Sequence, residues 1–470
     1  MRVGPLEIGS IDQWKPVDGS VVTWEPTAKA LAKAAEAPVS SVPVSFMQAQ
    51  HIRGICEQRS KGLEYSRLMM VSADLPGQCD LRAMSYVVNA HLRRQDTYRS
   101  WFEYNDGEIV RRTMEDAGDI EFKVQRRGEM ALDEIRDLIV STPDPLNWDC
   151  FRFGVIQGQD SFTFFAAIDH VHVDATIVGV TLMEFFMTYS SLVAGGAPLE
   201  LPAPGNYSDF CQQRQDYAMS LTAQSPEVQA WAEFARANEN SYPEFPLPLG
   251  DASVPWKSDM ITMSMMDDEQ MARFESACVE AGSRFIGGVM ACIGLTEHEF
   301  TGADTYYGLT PKDTRRDISE AMTQGWFTGL FPVTVPVAGE SFADSARAAQ
   351  QSFDSNRSLA EVPYARVREL EPELEAPRPN FPVINFFDAG TAPLSALLTS
   401  GLDKLNVGVY GDGRYSYQMS IYVVRVADET AVTVMFPDNP EARLSVERYL
   451  SKLKSVFDQV CERGQWQMAA

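Results

Sequence analysis

The sequence predicts a mixed α/β fold of the α+β type, arranged in two lobes. A chain of 470 residues is too long for one ordinary core, and this length predicts roughly two or three domains. Helical and strand patterns alternate before and after a proline-rich region near residues 198–257. We therefore expect an N-terminal extension over residues 1–42, a first lobe over 43–205, a crossover linker over 206–257 and a second lobe over 258–470.

Composition narrows the class of protein. Hydrophobic residues make up 45% and charged residues 22% of the chain, as is typical of a globular protein. The net charge of −25 argues against nucleic acid as a partner, because backbone phosphates require clustered lysine and arginine. Seven scattered cysteines without a CxxC pair indicate reduced thiols, and the N-terminus has no basic region followed by an apolar core. We expect a soluble, cytoplasmic protein.

Short patterns predict the elements of the first lobe. The extension looks irregular apart from one helical patch, "AKALAKAAEA". The predicted lobe then runs through a helix "SFMQAQHIRGICEQ", a strand "YSRLMMVSADL", a helix "DLRAMSYVVNAHL", a hairpin "FRFGVIQG"–"SFTFFAAI" and a long helix that starts at "DATIVGV" and ends at a glycine pair. Two polar helices follow in the linker.

The second lobe repeats the mixture of helices and strands. Its predicted helices are "DDEQMARFESACVEAG", "RFIGGVMACIGL", "FADSARAAQQSFDSNRSLA" and a final helix, and its predicted strands are "DMITMSM", "TYYGLTPKD", "FPVTVPV", "FPVINFFD", "YQMSIYVVRV" and "AVTVMFP". The final helix places apolar residues along one face, at Val446, Leu450, Leu453, Phe457 and Val460.

The stretch "AAIDHVHVDAT" contains two of the five histidines and admits two functional interpretations. On a flat strand, His170, His172 and Asp174 would point to one face and could bind a metal ion. If the strand runs into a turn, the stretch is instead an HxxxD pattern. In that pattern His170 acts as a general base and Asp174 orders the loop.

Local context favours the turn. A long apolar helix follows Asp174, and aspartate is a favoured helix N-cap, so the alternation that the metal site needs is broken. No other histidine has a ligand-like spacing, and we expect no metal and no cofactor. HxxxD alone is a weak pattern, and a buried core histidine beside a capping aspartate would produce it too.

Other segments carry a resemblance to a known superfamily. "PVSFMQAQ" resembles an opening S-x-x-Q helix, "VVNAHLRRQDTYRSWFE" is similar to the RHxxLRT segment, and "TPKDTRRD" before "GWFTGLFPVTVPV" resembles the second-lobe R…GFNxxP segment. These segments, in this order through almost the whole chain, resemble the condensation-domain and chloramphenicol-acetyltransferase-like superfamily. "RVGPLEIGSIDQW" and "TPKDTRR…GWFTG" look like its mycobacterial polyketide-associated (Pap) acyltransferases, in particular the trehalose-acylating branch.

Two departures from the HHxxxDG motif of condensation domains are informative. Asp169 stands where the first histidine is expected, and Ala175 replaces the final glycine. His170 and Asp174 still match the catalytic histidine and the structural aspartate, and the lost histidine pair favours ester formation over peptide condensation. The DFGWG signature of plant-type relatives is absent, although "YGDGRYSY" has a similar late position.

The resemblance implies a fold and a reaction. The fold would be two chloramphenicol-acetyltransferase-like lobes in a V-shaped pseudo-dimer with a central tunnel. The reaction would transfer a long acyl chain from acyl-CoA, or from a carrier or polyketide synthase, to a hydroxyl of trehalose or trehalose 2-sulfate. His170 would be the base, and Asp174 would pair with Arg315 or Arg316. These arginines and Lys312 form a basic cluster that is also suited to an anionic substrate.

Further expectations follow from this resemblance. The enzyme would be a monomer without nucleic-acid partners, and a lipid product leaves room for peripheral membrane association. The sequence contains neither a GxSxG elbow nor a Cys–His signature, so we expect no acyl-enzyme intermediate. Two alternatives stay open: a free-standing condensation enzyme that forms an amide or ester on a carrier-bound substrate, and a catalytically silent binding module of the same fold.

Overall fold

A computed structural model describes residues 2–3, 6–339, 341–378, 381–389, 402–415, 419–426 and 428–466. The strands are β1 (Arg2–Val3), β2 (Leu6–Ser10), β3 (Ser20–Pro26), β4 (Leu68–Pro76), β5 (Ser100–Asn105), β6 (Glu108–Thr113), β7 (Phe122–Glu129), β8 (Phe151–Gln157), β9 (Ser161–Asp169), β10 (Ser258–Asp267), β11 (Thr305–Asp313), β12 (Thr328–Pro336), β13 (Pro382–Asp388), β14 (Val407–Gly411), β15 (Met419–Arg425) and β16 (Glu429–Pro437). The helices are α1 (Ala28–Ala35), α2 (Phe46–Ser60), α3 (Leu81–Arg94), α4 (Leu132–Val140), α5 (Ile177–Val193), α6 (Tyr207–Ser220), α7 (Pro226–Arg236), α8 (Asp268–Glu280), α9 (Phe285–Thr301), α10 (Ile318–Ala321), α11 (Phe342–Asn356), α12 (Tyr364–Leu370) and α13 (Pro440–Arg463). The mixed α/β composition that the sequence predicts is confirmed.

The chain divides into two compact units that are not simply its two halves. In its described parts, the first unit contains Met1–Met219, Arg315–Phe327 and residues of the segment 393–414. The second unit contains the described parts of the remaining chain, beginning at Ser220. The boundary at Met219–Ser220 falls inside the stretch 206–257, which the sequence marks as a crossover. The first unit therefore receives two segments from late in the sequence.

An eight-stranded sheet organises the first unit, with strand order β1-β2-β14-β4-β9-β8-β3-β7. The central pairs β4–β9 and β8–β9 are antiparallel, and β14 pairs parallel to β2. Apolar residues of alternating register, such as Val71, Phe153 and Phe164, pack with α3 and α5 on one face. Residues of the opposite register pack with Trp14 and α4 on the other face. Because both faces are covered, β9 is buried from Phe162 to Asp169.

The N-terminal extension is more regular than the sequence predicts. β2 and β3 both belong to the main sheet, and β3 pairs with β7 on one side and with β8 on the other. Val21, Val22 and Trp24 of β3 are buried. The prediction of an irregular stretch is wrong here because the partners of β3 lie about a hundred residues away in sequence.

The second unit contains a four-stranded sheet of order β10-β16-β15-β13 and the antiparallel pair β11–β12. α9 is almost entirely buried, and its glycines permit close packing: a Cβ on Gly288 would lie 2.3 Å from Cys278 Sγ on α8. The apolar face predicted for the final helix is confirmed, because the five residues predicted to form it are all buried in α13. Within the described ranges, no single helix has the length and apolarity to cross a membrane; only the bent pair α8 and α9, at 94°, passes on length and composition.

Candidate active site

The HxxxD stretch lies where a buried strand ends. β9 stops at Asp169, and residues His170–His172 form one turn of 3-10 helix. The carboxylate of Asp169 caps this turn by accepting a hydrogen bond from Val171 N at 3.1 Å. The turn interrupts the strand alternation on which the metal interpretation depends. In the described part of the chain, no group of three or more histidine, cysteine, aspartate or glutamate residues is arranged to hold a metal ion.

The two ring nitrogens of His170 have different surroundings. Nδ1 is buried and has no hydrogen-bond partner among the described residues, although the residue as a whole is partly exposed. The indole of Trp326 covers the imidazole, with ring centroids 3.9 Å apart and planes inclined by 30°. Burial, followed by the charge of His51, lowers the pKa of His170 to about 4. The imidazole is therefore neutral at physiological pH and can accept a proton.

His172 faces a different environment. Its Nδ1 is 2.9 Å from Thr97 Oγ1, and its ring packs against Tyr98 and Phe151. Burial lowers the pKa of His172 to about 4, and its Nε2 is enclosed with no hydrogen-bond partner among the described residues. The side chain of His172 is fully buried in the core of the first unit, so the last residue of the turn is anchored there by packing.

Asp169 forms a buried polar cluster that sequence reasoning missed. Its Oδ1 is 3.0 Å from His51 Nε2, and its Oδ2 accepts a hydrogen bond from Arg67 Nη1 at 3.2 Å. Burial alone would raise the pKa of Asp169, but His51 and Arg67 outweigh it and hold the pKa below the usual value. His51 also brings a second imidazole near the site, 6.2 Å from His170 between ring centroids. Sequence spacing could not reveal this pair, because 118 residues separate its members.

The S-x-x-Q segment has two structural uses. Ser45 and Gln48 form a capping box at the start of α2, in which each side chain bonds to the backbone N–H of the other. Gln48 Nε2 also donates to the carbonyl oxygen of Val171 at 2.8 Å. The same helix start therefore holds the HxxxD turn through its middle residue.

Both carboxylate oxygens of Asp174 accept hydrogen bonds that hold the loop in place. Oδ2 accepts from Arg315 Nη1 and from Phe327 N, both at 2.9 Å, while Oδ1 accepts from the backbone and hydroxyl of Thr176. Burial would raise the pKa of Asp174, but the Arg315 charge and these hydrogen bonds lower it. The expectation that a helix starts at Asp174 is wrong, since α5 begins at Ile177 and the carboxylate is occupied by the arginine instead.

The three basic residues that the sequence predicts to form one cluster have different partners in the structure. Arg315 is buried beside Asp174 and also donates to the carbonyl oxygens of Glu320 and Thr323. Arg316 is half exposed and forms an ion pair with Glu320. Lys312 belongs to the second unit.

Within the second unit, Lys312 lies 3.8 Å from a carboxylate oxygen of Glu361. An ion pair of this kind, partly open to solvent, contributes about 0–1 kcal/mol. Of the cluster expected from sequence, the structure thus brings only Arg315 to the HxxxD loop of the first unit.

The late segment "YGDGRYSY" contributes through Asp412. This carboxylate accepts hydrogen bonds from Ser66 Oγ, Arg67 N and Leu68 N at 2.8–3.0 Å. Asp412 thereby fixes the start of β4 and the preceding residue Arg67, whose carbonyl oxygen accepts a hydrogen bond from the backbone N–H of His170 at 2.8 Å. Residues 416–418 lie outside the described residues, and the equivalence of this segment to DFGWG stays a prediction.

Comparison with known proteins identifies the family. The condensation-domain family matches residues 40–462, which is nearly the whole chain. The chain belongs to the condensation-domain family. Solved structures that share the fold at low sequence identity include the X-domain from teicoplanin biosynthesis, with a TM-score of 0.69 and 16% identity, covering 91% of this chain and 97% of that one.

Several relatives within this condensation-domain family are much closer. "Acyltransferase PapA3" of Mycobacterium tuberculosis is 63% identical over 100% of both chains, and "Trehalose-2-sulfate acyltransferase PapA2" of Mycobacterium bovis is 49% identical over 96% of this chain and 97% of its own. A solved structure of the PapA2 acyl transferase has a TM-score of 0.94 and 48% identity, covering 97% of this chain and 100% of that chain. The resemblance to the Pap acyltransferases is confirmed, and the protein is an acyltransferase with the condensation-domain fold.

Proposed function

We propose that this acyltransferase moves a long-chain acyl group from a thioester to a hydroxyl of trehalose or trehalose 2-sulfate. The relative 54% identical over 99% of this chain is named 2'-acyl-2-O-sulfo-trehalose (hydroxy)phthioceranyltransferase PapA1, and the PapA2 relative is named for trehalose-2-sulfate. The observation that carries the proposal is the neutral, partly exposed His170 at the end of β9. The donor is acyl-CoA or an acyl chain on a carrier or polyketide synthase.

In the proposed mechanism, His170 is the general base. Because Nδ1 is enclosed, Nε2 is the nitrogen that takes the proton from the sugar hydroxyl. The hydroxyl oxygen forms a bond to the thioester carbonyl carbon and gives a tetrahedral intermediate. Its collapse breaks the carbon–sulfur bond, and the imidazolium returns the proton to the leaving thiolate. All proton transfers use one side chain, and the products are an ester and a free thiol.

The lowered pKa of His170 sets how this base works. A pKa of about 4 makes the imidazole a weaker base than a free histidine, but it is fully deprotonated at neutral pH. General-base catalysis usually contributes about 10²–10⁴-fold, and the alignment of the two substrates contributes more. The role proposed for Asp174 and Arg315 is to hold the loop in the conformation that presents Nε2.

His170→Ala tests the base assignment. The variant and wild type are incubated with trehalose or trehalose 2-sulfate and acyl-CoAs of several chain lengths, and products are measured by mass spectrometry. We expect turnover to fall by about 10²-fold or more. His298→Ala is the matched control, because His298 lies in the second unit, where its Nδ1 bonds to the carbonyl oxygen of Ala303. Turnover near wild type in His170→Ala would contradict the mechanism.

The same assay separates this function from amide formation. Amine acceptors offered beside the sugars would give an amide if the protein were a free-standing condensation enzyme. A preference for amine over hydroxyl would overturn the proposed acceptor class. The base assignment is tested separately, by the turnover of His170→Ala. A cytoplasmic monomer remains the prediction for the state in which the enzyme acts.

A further inference from the structure

A buried glutamine on the first unit holds the segment that covers His170. Gln95, the residue directly after α3, is fully buried, and both its amide nitrogen and its amide oxygen form hydrogen bonds with this segment. Nε2 donates to the carbonyl oxygen of Met322 at 3.0 Å, and Oε1 accepts from Gln324 N at 2.8 Å. Both partners are backbone groups of Arg315–Phe327. Gln95 therefore binds the backbone of this segment through one donor and one acceptor, as a neighbouring β-strand would.

Glu184 on α5 fixes which way the Gln95 amide points. Gln95 Nε2 also donates to Glu184 Oε1 at 3.0 Å, and an ionised carboxylate can only accept. His91 and Arg94 donate to the same carboxylate at 2.6 and 2.8 Å, and they lower the pKa of Glu184 against the effect of burial. The amide nitrogen of Gln95 must face this carboxylate, so its oxygen is left to accept the Gln324 N–H.

Trp326 lies between two fixed points of the segment. On one side Gln324 N is held by Gln95, and on the other Phe327 N is held by the Asp174 carboxylate at 2.9 Å. With its neighbours fixed, the indole is directed onto the imidazole of His170 at a centroid distance of 3.9 Å. A contact this close is sensitive to displacements of less than 1 Å in the backbone of residues 322–327.

We propose that Gln95 is a positioning residue for acyl transfer, which acts through residues 322–324 to keep Trp326 against His170. The inference rests on the proposed function, because its effect on turnover requires that His170 be the base. The hydrogen bonds of the Gln95 amide go to Glu184, Met322 and Gln324 rather than to His170. Its role is to fix the orientation of the imidazole and limit the space above the ring, so that Nε2 meets the hydroxyl in one geometry.

The test is a magnetic resonance measurement combined with kinetics. Histidine labelled with ¹³C and ¹⁵N gives ring signals for five residues, and His170→Ala identifies the signal of His170. The ring current of the indole displaces this signal, and Trp326→Leu defines its position without the indole. In Gln95→Leu we expect the His170 signal to move toward the Trp326→Leu position, and kcat to fall by up to about 10²-fold with a smaller change in KM.

Gln350→Leu is the matched control. Gln350 is a buried glutamine of the second unit, where it accepts from Arg284 N at 3.0 Å and donates to Asp354 at 2.8 Å. Gln350→Leu removes two hydrogen bonds and Gln95→Leu removes three, so Gln350→Leu measures the general cost of removing a buried amide. We expect it to leave the His170 signal in place.

Gln95→Asn keeps the test valid if Gln95→Leu does not fold. It retains an amide that is one methylene too short to bond both backbone groups, and we expect a smaller shift in the same direction. An unchanged His170 signal in a folded Gln95 variant would overturn the positioning role. If the signal moves while His170→Ala is fully active, the contact geometry is right but His170 is not the base, so the proposed function and with it a catalytic role for Gln95 are overturned.

Discussion

Asp169 and His51 form a hydrogen-bonded pair in the interior of the first unit, with 3.0 Å between Oδ1 and Nε2. Asp169 occupies the position at which many condensation domains have a histidine, and the pair brings an imidazole from α2 next to it. Arg67, the residue directly before β4, completes the cluster. The departure from the double-histidine motif is thus accompanied by a partner for the new carboxylate, and its energetic importance can be measured.

Asp169→Asn should destabilise the protein. The change removes the charge opposite Arg67 and leaves a buried guanidinium without its partner, at a cost of about 3–5 kcal/mol. Urea unfolding at pH 7 measures the loss, and Asp251→Asn, on an exposed loop, is the control. Asp169→His restores the double-histidine order but sets a third basic group beside His51 and Arg67, so we expect it to be less stable than Asp169→Asn. Wild-type stability in Asp169→His would contradict this account of the cluster.

Arg315→Lys should be far more harmful than Arg316→Lys. A lysine at 315 can still face Asp174 but cannot also donate to the carbonyl oxygens of Glu320 and Thr323. We expect a loss of about 2 kcal/mol or more in stability and a lower kcat, because removing part of a buried network leaves acceptors unpaired. Arg316 is half exposed, and its pair with Glu320 contributes about 0–1 kcal/mol. Equal effects of the two changes would contradict the assignment of Arg315 as the partner of Asp174.

The pH dependence of kcat/KM should lack the usual histidine limb near pH 6.5. The pKa of His170 is lowered to about 4, so the neutral, active form predominates above about pH 5. Rates are measured from pH 5 to 9, with each sample returned to pH 7.5 afterwards to verify that no activity was lost by unfolding. A fall in kcat/KM with a midpoint near 6.5 would show that the imidazole is better solvated than its contacts indicate.

His172 should make the fold sensitive to acid. Its pKa is about 4 in the folded protein and 6.5 when unperturbed, so the unfolded state binds the proton more readily as the pH falls below 6.5. This lowering of the pKa corresponds to roughly 3 kcal/mol of stability, which is lost as the pH falls from 6.5 to 4. His172→Asn keeps a hydrogen-bonding group near Thr97 Oγ1 but does not titrate. We expect its urea midpoint to change less between pH 7 and 4.5 than that of wild type, and an identical change would refute the prediction.

Most helices and strands were predictable from the sequence because their signals are local. The hairpin of β8 and β9, the buried helix α9 and the apolar stripe of α13 all follow from spacing within about twenty residues. β3 escaped prediction because its strand character depends on pairing with β7 and β8, whose positions no local pattern reveals. The helix start was misjudged for a similar reason: the Asp174 carboxylate is taken up by a residue 141 positions away.

The candidate site shows the same division. His170 and Asp174 could be named from a motif and a resemblance, and the surrounding contacts could not. Arg315 and Arg316 are adjacent and chemically identical, yet their side chains are 5% and 52% exposed. Only the path of the backbone decides which of them meets the aspartate. His51, Gln95 and Trp326 reach the site through contacts between distant segments, for which the sequence carries no signal.

The late arrival of Phe327 has a consequence for protein synthesis. Asp174 and the backbone N–H of Phe327 are 153 residues apart, and a ribosome adding about 5–20 residues per second needs roughly 8–30 s to cover that interval. During that time the segment Arg315–Phe327, which contacts Asp174 and covers His170, is not yet complete. β14, the strand between β2 and β4, emerges later still. The first unit therefore completes its fold only after most of the second unit has been made.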